Sequence, residues 1–573
     1  MSAVVINQPP KLRKDTLRII PLGGLGEVGR NMTAFELNGR LLIVDCGVLF
    51  PEDSQPGVDL ILPDFAPIAD RLDDIDALVL THGHEDHIGA VPYLLKLRDD
   101  IPLIGSRLTL GLTEAKLKEH HITPESIVVE ARDKLTVGEF VLEFFTVTHS
   151  IPDCLAVAMH TPAGTLLHTG DIKVDQTPID GRVTDFQGLG RLGAEGVDLL
   201  LMDSTNAEVP GHSDSERSVG PAIRRVISEA KQQVIVSTFS SHVHRVQQIA
   251  DAAIKARRKI VLVGRSMLRN LTIARELGYL NIPDNALVDL KKAGKMPREK
   301  LVYICTGSQG ESLAALSRIA NGSHPSITVE KGDTVLLASS LIPGNETAVS
   351  GLINNLIEKG ADVIHKGNAK VHVSGHGNSG ELLQWYNVVR PHMAMPVHGE
   401  VRHLHANAGL AASTGVNPKG IVVAHSGSVI DLAKGRAKIT GQYRNDHIFV
   451  DGSSVGEITE ADLRDRRTLS AEGFITVIIG INMNDGHLVV GPEIQARGLA
   501  EDDKVFDDVV PRVERAIADV YAEGERNPHV MQQVVRRTVG RWVSQRLRRK
   551  PMIVPIVLPA ESIDDVEIVT ESD

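Results

Sequence analysis

Cysteine is scarce in this sequence. The 573 residues include only Cys46, Cys154 and Cys305. Because these three are odd in number, far apart and outside any CxxC pair, the sequence predicts neither a disulfide framework nor a cysteine-bound zinc site. Any metal ion must therefore be held by histidine and carboxylate side chains.

Long apolar runs are also lacking. No stretch reaches the roughly 18 consecutive apolar residues of a membrane-spanning helix, and the N-terminus shows no apolar signal core with a small-residue cleavage site. We therefore expect a cytoplasmic protein that does not associate with membranes.

Positive charge is in deficit, with a formal net charge of −12. A net negative charge argues mildly against a protein that coats nucleic acid through its overall electrostatic field. A deep site can nevertheless carry its own local charge, and a metal ion can be the largest part of that charge. The basic stretch RRTVGRWVSQRLRRK at 536–550 favours a helix with a solvated basic face, with RNA contact as the alternative.

The length and a hydrophobic content of 42% indicate a multidomain globular protein. Short β-like runs and Gly-rich turns dominate the first part, and regular strand–helix alternation then predicts a parallel sheet with helices on its faces. Short β runs that end in histidine follow, so the α/β module is interpreted as an insert in the first domain. The predicted parts are a first domain over 1–216 and 366–450, an insert over 217–365, a linker over 451–467, a small α/β domain over 468–560 and a disordered acidic tail over 561–573.

The stretch LVLTHGHEDHIGAVPYLLKL, residues 78–97, concentrates histidine and acid directly after an apolar run. Beyond the end of the predicted strand, His82 and His84 lie two apart in extended chain, so their rings project to the same side and can reach one ion. After a tight turn, Asp86 and His87 can serve a second ion. Imidazole and carboxylate together suit zinc, manganese or iron. A polar surface loop is the alternative.

Further histidines and aspartates close other predicted strands. Ligand sites in open α/β sheets lie outside the carboxyl ends of strands, so these side chains could converge on one cleft. Each residue alone is typical of a turn, and only the joint pattern predicts a two-metal site. The residues are Asp45, His149, Asp171, Asp203, His376 and His398.

The HxHxDH motif at 82–87, with His149, Asp171 and Asp45, resembles that of metallo-β-lactamase fold hydrolases. DSTN at Asp203, SGHG at His376 and PVHGE at His398, flanking an α/β insert, resemble the β-CASP branch of nucleic-acid nucleases. Within that branch the sequence resembles the bacterial ribonuclease J family over nearly its whole length, through motifs in the right order: PLGGLGEVGRNMTAFE, DCGVLFPE, THGHEDHIG, HSIPD, TGDIK, SLIPGNE and PVHGEVRHL.

This resemblance implies an α/β fold, in which an αββα sandwich carries an inserted β-CASP α/β domain and a small C-terminal α/β domain. It also implies two divalent metal ions per subunit, with zinc favoured and manganese or magnesium as alternatives. By analogy, the first ion would be held by His82, His84 and His149, the second by Asp86, His87 and His398, with Asp171 as the bridge, His376 as a phosphate contact and proton donor, and Asp45 and Asp203 as supports.

One residue departs from the family pattern. The family more often has alanine where this chain has Gly377, directly after His376. Because glycine is conformationally permissive, this departure could loosen the loop that carries His376.

The insert is expected to cover the cleft, and its strand-to-helix turns offer backbone N–H groups that suit phosphates. We expect phosphate contacts at Ser240, His242, Ser374 and Gly375 as well as His376, with plain turn chemistry as the alternative. Phe50 in GVLFP could stack on a base near the entrance, although a buried core ring is favoured.

Gly24, Gly26 and Gly29 spell GxGxxG, and Asp45 follows at the distance a dinucleotide-binding fingerprint would have. The required helix is missing from the pattern. Instead, NMTAFELNGRLLIVD alternates and turns at Asn38-Gly39, which predicts a β-hairpin.

The expected function is metal-dependent hydrolysis of RNA in processing and decay, by internal cleavage and by 5′→3′ digestion from a 5′-monophosphate end. The exonuclease mode and the end preference rest on the resemblance alone. The alternatives are a hydrolase of small lactams, lactones or thioesters, which would need no covering insert, and a non-catalytic RNA-binding protein. Expected partners are RNA, further copies in a homodimer or homotetramer, and RNA-decay or ribosome-associated proteins.

Overall fold

A computed structural model describes residues 5–52, 54–311, 314–340, 345–499 and 503–560. They form two compact units, one holding residues up to 50 with 60–448, the other holding 51–59 with 449 onward. Within these ranges, no helix has both the length and the apolar character needed to cross a membrane. The acidic tail predicted over 561–573 lies outside the described residues.

Two mixed sheets form the body of the first unit. The first sheet contains nine described strands, in the spatial order Val5–Asn7, Arg436–Tyr443, Ser428–Ala433, Leu17–Gly23, Met32–Leu37, Arg40–Val44, Ile75–Leu80, Leu103–Gly105 and Ser126–Val128. The second contains six, in the order Lys134–Val137, Phe140–Thr146, Leu155–Thr161, Gly164–His168, Leu199–Asp203 and Met393–Val397.

A single apolar core joins these two sheets. Phe35 and Val79 of the first sheet share one buried cluster with Phe144 and Leu201 of the second. Leu78, which alternates with Val79, lies outside that cluster yet is fully buried. Burial on both faces is typical of a sheet covered by helices on its outer side.

Helices pack against both sheets. Helix Arg107–Glu119 contacts the two strands at one end of the first sheet, Leu103–Gly105 and Ser126–Val128. Helix Val401–Ser413 contacts strand Met393–Val397 of the second sheet. The resulting order of layers is an αββα sandwich. The helices of this part are Glu85–Ile88, Val91–Leu95, Arg107–Glu119, Phe186–Glu195, Ser379–Val389 and Val401–Ser413, with 3₁₀ turns at Ala66–Asp74 and Pro418–Gly420.

The inserted module is a separate parallel sheet, as the strand–helix alternation predicts. Its described strands follow the spatial order Lys259–Val263, Leu301–Cys305, Val234–Ser237, Thr334–Leu337 and Asp362–Ile364. Its helices are Gly220–Glu229, Val243–Lys255, Arg265–Glu276, Leu290–Ala293, Ala315–Ala320 and Glu346–Glu358, with 3₁₀ turns at Glu216–Val219, Asp284–Ala286 and Arg298–Lys300. It has an apolar core of its own.

The second unit contains a three-stranded sheet in the order Leu488–Arg497, Phe474–Ile481 and Met552–Pro559. Helices Val510–Ala522 and Pro528–Arg546 pack on it through one apolar cluster. The stretch assigned to a linker, 451–467, includes strand Ser454–Val455 and the first part of helix Glu460–Glu472. Residues 51–59, which the sequence assigns to the first domain, belong to this second unit.

The glycine-rich stretch near the N-terminus is a β-structure. Strands Met32–Leu37 and Arg40–Val44 pair antiparallel around a two-residue turn. Asn38 and Gly39 adopt φ of 49° and 87°, which is the conformation that a type I′ hairpin turn requires. The predicted hairpin is confirmed.

Arg245, near the start of helix Val243–Lys255, is completely buried. Its guanidinium donates to both carboxylate oxygens of Glu216, with Nη2 2.7 Å from Oε2. It also donates to the backbone carbonyls of Ala338 and Val371 at 2.6 and 3.0 Å. One side chain therefore connects the interior of the insert, at Ala338, with the segments that enter and leave it, at Glu216 and Val371.

We expect Arg245→Met to destabilise the first unit, because it leaves the Glu216 carboxylate buried without its cation. The loss should be about 3–5 kcal/mol in the free energy of unfolding, measured from urea midpoints followed by circular dichroism. Arg245→Met with Glu216→Gln should recover part of it. The exposed Arg225, substituted to methionine, serves as the control. A single Arg245 variant as stable as that control would contradict this account.

Candidate metal centre

The histidine-rich stretch begins where strand Ile75–Leu80 ends, and Asp45 fixes it from the neighbouring strand. The Asp45 carboxylate accepts hydrogen bonds from the N–H of Thr81 at 2.8 Å and from its hydroxyl, and its Oδ2 lies 2.8 Å from His87 Nδ1. Asp45 therefore orients one imidazole and anchors the strand end.

Gly47, two residues after Asp45, allows two backbone segments to pack closely against each other. A Cβ at Gly47 would lie 1.6 Å from the carbonyl oxygen of Asp86, so no other residue fits there. The turn that carries Asp86 and His87 consequently packs directly on the backbone that follows Asp45.

The first group of potential ligands consists of His82, His84, His149 and Asp171. One nitrogen of His84 lies 3.1 Å from Nε2 of His82 and 3.1 Å from Nε2 of His149. Both Nε2 atoms lie 3.6 Å from Asp171 Oδ2. Ligands around a tetrahedral zinc ion are about 3.3 Å apart when zinc–nitrogen bonds are about 2.0 Å. The spacing therefore fits one cation.

The second group consists of Asp86, His87, His398 and again Asp171. Nε2 of His87 lies 3.2 Å from Asp171 Oδ1 and 3.6 Å from Asp86 Oδ2, and Nε2 of His398 lies 3.5 Å from Asp86 Oδ2. All four residues can direct one ligand atom to a common point, because these atoms lie within 4.8 Å of one another. Asp171 thus turns Oδ2 toward the first group and Oδ1 toward the second.

Unsatisfied polar atoms support cation binding. Both side chains of the pair His398 and Asp171 are buried, and His398 Nδ1 lies 2.6 Å from Asp171 Oδ1 as an ion pair without hydrogen-bond geometry, while His398 Nε2 has no hydrogen-bond partner among the described residues. Buried polar atoms without partners are costly, and metal coordination would satisfy them. The donor set, imidazole nitrogen and carboxylate oxygen, suits a divalent metal ion.

The charge state of the first group also suits a metal. Burial lowers the pKa of His84 to about 4, and it lowers the pKa of His82 and of His149 well below the usual range. These imidazoles are therefore neutral at physiological pH, which is the form that binds metal.

The second group concentrates negative charge. Burial opposes ionisation of Asp171, but the imidazoles of His398 and His87 hold its pKa well below the usual range. Burial likewise opposes protonation of His398, but the Asp171 carboxylate raises the pKa of that imidazole to about 10. The site strongly favours positive charge, whether a proton on imidazole or a metal cation.

His376 lies beside both groups and is held by Asp203. Its Nδ1 is 2.8 Å from Asp203 Oδ2, and its Nε2 is 3.9 Å from Asp171 Oδ2. Burial opposes protonation of His376, but the Asp203 carboxylate outweighs it and raises the pKa. The Asp203 carboxylate also accepts from the N–H of Ile172 and of Thr205, so its position is fixed.

Family models match almost the whole chain in segments. They are the metallo-beta-lactamase superfamily over 25–222, the ribonuclease J beta-CASP domain over 231–356, the Zn-dependent metallo-hydrolase RNA specificity domain over 361–425 and the ribonuclease J C-terminal domain over 462–560.

Several curated relatives match over nearly their full length. Ribonuclease J of Mycolicibacterium smegmatis is 53% identical, with 96% of this chain and 98% of that protein covered. The chain belongs to the ribonuclease J family. Ribonuclease J of Mycobacterium tuberculosis H37Rv is 52% identical over the same shares, and that of Thermus thermophilus is 39% identical over 95% of this chain and 96% of that protein.

A solved structure supports the fold. A protein of unknown function from Enterococcus faecalis, 16% identical, superposes with a TM-score of 0.51 over 73% of this chain and 100% of that one. As a ribonuclease J family member with an RNA specificity domain, the chain is a metal-dependent ribonuclease that binds RNA. Its His and Asp clusters suit divalent metal ions.

In this ribonuclease, backbone groups of the loop that carries His376 hydrogen-bond to neighbouring segments and hold the loop in place. The carbonyl oxygen of Gly375 accepts a hydrogen bond from His149 Nδ1, at 2.7 Å. A Cβ at Gly375 would meet His149 at 2.8 Å, and one at Gly377 would meet Glu381 at 3.1 Å. Gly377 therefore allows close packing, and its N–H donates to the Ile172 carbonyl at 2.7 Å.

The side chains expected to contact phosphate differ in their burial and in their hydrogen-bond partners. The Ser374 hydroxyl accepts from Asn206 Nδ2 and from the N–H of His376, and the Ser240 hydroxyl accepts from Asn270. His242 is buried, and its Nδ1 has no hydrogen-bond partner in the described part of the chain. Phosphate binding by these residues stays a prediction.

Phe50 does not occupy the core. Its side chain is 56% exposed, so the favoured interpretation of a buried ring is wrong. The ring is accessible to a base, and stacking there stays a prediction.

Three side chains near the site were missed by the sequence analysis. Asn31 Nδ2 lies 3.1 Å from His87 Nε2, and the ammonium of Lys173 donates to the carbonyl of Ser374 at 3.0 Å. Glu381 is almost fully buried. Asn31 lies within the motif PLGGLGEVGRNMTAFE and Lys173 within TGDIK, and Glu381 follows SGHG by four residues. A signal was therefore present in the sequence, but polar residues in or beside motifs carry no indication of their partners.

Glu381 links three loops around the His376 segment. Its carboxylate accepts from the N–H of Val174 at 2.9 Å, of Ser213 at 2.7 Å and of Asn378 at 2.7 Å. The hydroxyl of Ser213 adds a further bond at 2.7 Å.

We expect Glu381→Ala to lower the free energy of unfolding by about 2–4 kcal/mol, because it leaves several buried N–H groups unpaired, and to slow RNA cleavage through a mobile His376 loop. Thermal unfolding and cleavage of labelled RNA measure the two effects. Asn387→Ala, an exposed site on the same helix, is the control. Wild-type stability and cleavage by Glu381→Ala would show that the loop does not depend on this carboxylate.

Proposed function

We propose that this ribonuclease hydrolyses RNA at a two-metal centre, by internal cleavage and by 5′→3′ digestion from a 5′-monophosphate end. His82, His84 and His149 would hold one ion, and Asp86, His87 and His398 the other. The observation that supports this arrangement is the orientation of Asp171, whose two oxygens each face one ligand group.

A bound pair of divalent ions supplies two effects, a lowered pKa of water and neutralisation of charge on the phosphate. Zinc is favoured over manganese and magnesium, because each group is rich in imidazole nitrogen, whereas magnesium prefers oxygen ligands.

His376 would act as the proton donor. Its Nδ1 is engaged by Asp203, so the proton available for transfer is on Nε2. When the phosphodiester bond breaks, the leaving ribose oxygen takes this proton. Because His376 is 19% exposed, the ring can regain a proton from solvent. Asp203 would stabilise the imidazolium and hold it in this orientation.

The exonuclease mode and the preference for a monophosphorylated end are supported by the family to which the chain belongs. We also propose a cytoplasmic homodimer or homotetramer, formed through the C-terminal domain and associated with RNA-decay or ribosome-bound proteins. Support for self-association comes from the C-terminal sheet, whose outer strands Leu488–Arg497 and Met552–Pro559 each pair on one side only among the described residues.

With 5′-labelled RNA as substrate, we expect mononucleotide release from monophosphorylated RNA, slower release from triphosphorylated RNA, and internal products from both. A chelator should abolish all three, because the ligand groups then hold no cation. Denaturing electrophoresis and metal analysis of the protein are the measurements.

The matched variant for this experiment is Asp86→Ala with His87→Ala, which should stay folded, lose one metal ion per chain and lose cleavage. Cleavage that persists in this variant would refute the ligand assignment. Hydrolysis of a chromogenic lactam with intact RNA would instead favour a small-molecule hydrolase, and RNA retention without cleavage in any metal would favour a binding protein.

We expect His376→Ala and Asp203→Asn each to slow single-turnover cleavage by about 10²-fold or more. The first removes the proton donor, and the second removes the charge that raises the pKa of His376. Substrates with a good leaving group, such as a nitrophenyl phosphodiester, should be much less affected, because they need no proton. Equal losses on both substrates would contradict the role of His376 as the acid.

A further inference from the structure

A second cavity lies in the first unit, outside the metal centre. Its volume is about 1110 Å³. It opens at the carboxyl ends of strands Lys259–Val263 and Leu301–Cys305, where Gly264 and Thr306 contribute to its wall. None of the potential metal ligands lines it.

Basic side chains dominate the polar part of this cavity. Arg265, Arg269 and Arg275 come from one helix, Arg265–Glu276, and Arg318 and Lys292 come from elements opposite. At a rise of 1.5 Å per residue, the three helix arginines extend over about 15 Å. They form a stripe along one wall.

Arg265 and Arg318 differ from the two other arginines of the cavity in having no anionic partner among the described residues. Arg269 pairs with Glu119 at 2.6 Å and Arg275 pairs with Asp284 at 2.6 Å. By contrast, Arg265 and Arg318 form no ion pair and no side-chain hydrogen bond with any described residue. Their positive charge is available to a ligand.

His324 adds a neutral donor to the cavity lining, near Arg318. Its Nδ1 accepts from the N–H of Ser326 at 3.3 Å and of Ile327 at 3.1 Å. Burial, with the nearby Arg318 guanidinium, lowers the pKa of this ring. The neutral ring therefore carries its hydrogen on Nε2.

Two acids also line the cavity: Glu119, which pairs with Arg269, and Asp289, whose carboxylate lies 3.2 Å from Nζ of Lys292. The remaining lining is largely apolar, with Ser266, Thr272 and Thr306 as its polar members. Leu262, Leu287 and Val288 contribute, and Leu268 is 50% exposed one turn after Arg265. Cations beside exposed apolar surface suit a nucleic-acid strand, since phosphates pair with the former and base faces contact the latter. Pockets for small ligands are usually about 300–1,000 Å³, so this cavity, at about 1110 Å³, has room for more than one nucleotide.

We infer that this cavity is a second RNA-binding site, which holds phosphates of a single strand through Arg265 and Arg318 while another part of the same strand lies at the metal centre. This inference rests on the proposed function, RNA hydrolysis, and adds to it the place on the protein where a long substrate is held. A long RNA would gain affinity here, whereas a dinucleotide bound at the metal centre would not, because no potential metal ligand lines the cavity.

The test compares the wild type with Arg265→Gln/Arg318→Gln in the full-length protein. Binding of a long single-stranded RNA is measured by fluorescence anisotropy with chelator present, over a range of salt concentrations. Loss of two phosphate contacts should weaken binding roughly tenfold near 0.1 M salt and should lower the slope of log Kd against log salt by about 1.4. Metal-loaded cleavage should show a raised KM for the long RNA, an unchanged kcat, and unchanged hydrolysis of a dinucleotide.

Two control variants accompany the double variant. Arg265→Lys/Arg318→Lys keeps both charges and should keep most of the salt slope, and Arg225→Gln removes an exposed arginine on another helix of the insert and should change nothing. Because neither Arg265 nor Arg318 supports another described side chain, folding should be unaffected, which thermal unfolding checks.

Unchanged affinity and slope in Arg265→Gln/Arg318→Gln would overturn the inference and leave the proposed function intact. Failure of the wild type to cleave either substrate would instead refute the proposed function. A third outcome also counts against the RNA site: loss of 5′-AMP binding in the double variant with RNA binding unchanged would assign the cavity to a free mononucleotide.

Discussion

The functional centre depends on one shared carboxylate. Asp171 is 2% exposed and lies at a strand end between two sets of imidazoles, with one oxygen facing each set. A buried carboxylate in this position is tolerable only when positive charge surrounds it. The surrounding loops therefore have to hold their imidazoles close to this carboxylate, and hydrogen bonds in the first unit orient three of them. Asp45 orients His87, Gly375 orients His149, and Asp203 orients His376.

This network explains why buried polar residues are tolerated so close to the core. Lys173 and Glu381 would each be destabilising alone in an apolar interior. Here the ammonium of Lys173 donates to two backbone carbonyls, and the Glu381 carboxylate accepts from backbone N–H groups of separate loops. These bonds convert irregular loops into a rigid frame, which is what a metal centre with closely spaced ligands requires.

Much of the fold could be predicted from the sequence, because its periodicity was strong. Strand–helix alternation predicted the parallel sheet of the insert, and Asn38-Gly39 predicted the hairpin. The candidate ligands were found because they cluster directly after one apolar run or close another, and the structure brings these side chains together, although their roles stay predictions. Phe50 was misjudged because an apolar residue beside a proline gives no sign of exposure. Glu381 and Lys173 were missed because their partners are backbone groups distant in sequence, and the arginines of the second cavity because helix-surface charge usually faces solvent.

The order of the ligands along the chain has a consequence for biosynthesis. His82 is made early, but His398 comes more than three hundred residues later, after the whole insert, and its carbonyl oxygen is held by Thr205, 193 residues before it. A nascent chain on the ribosome can therefore present the first ligand group long before the second is complete. Any truncated product that stops inside the insert would carry every proposed metal ligand except His398, and its imidazoles would be free to bind metal without His376, the proposed proton donor for RNA cleavage.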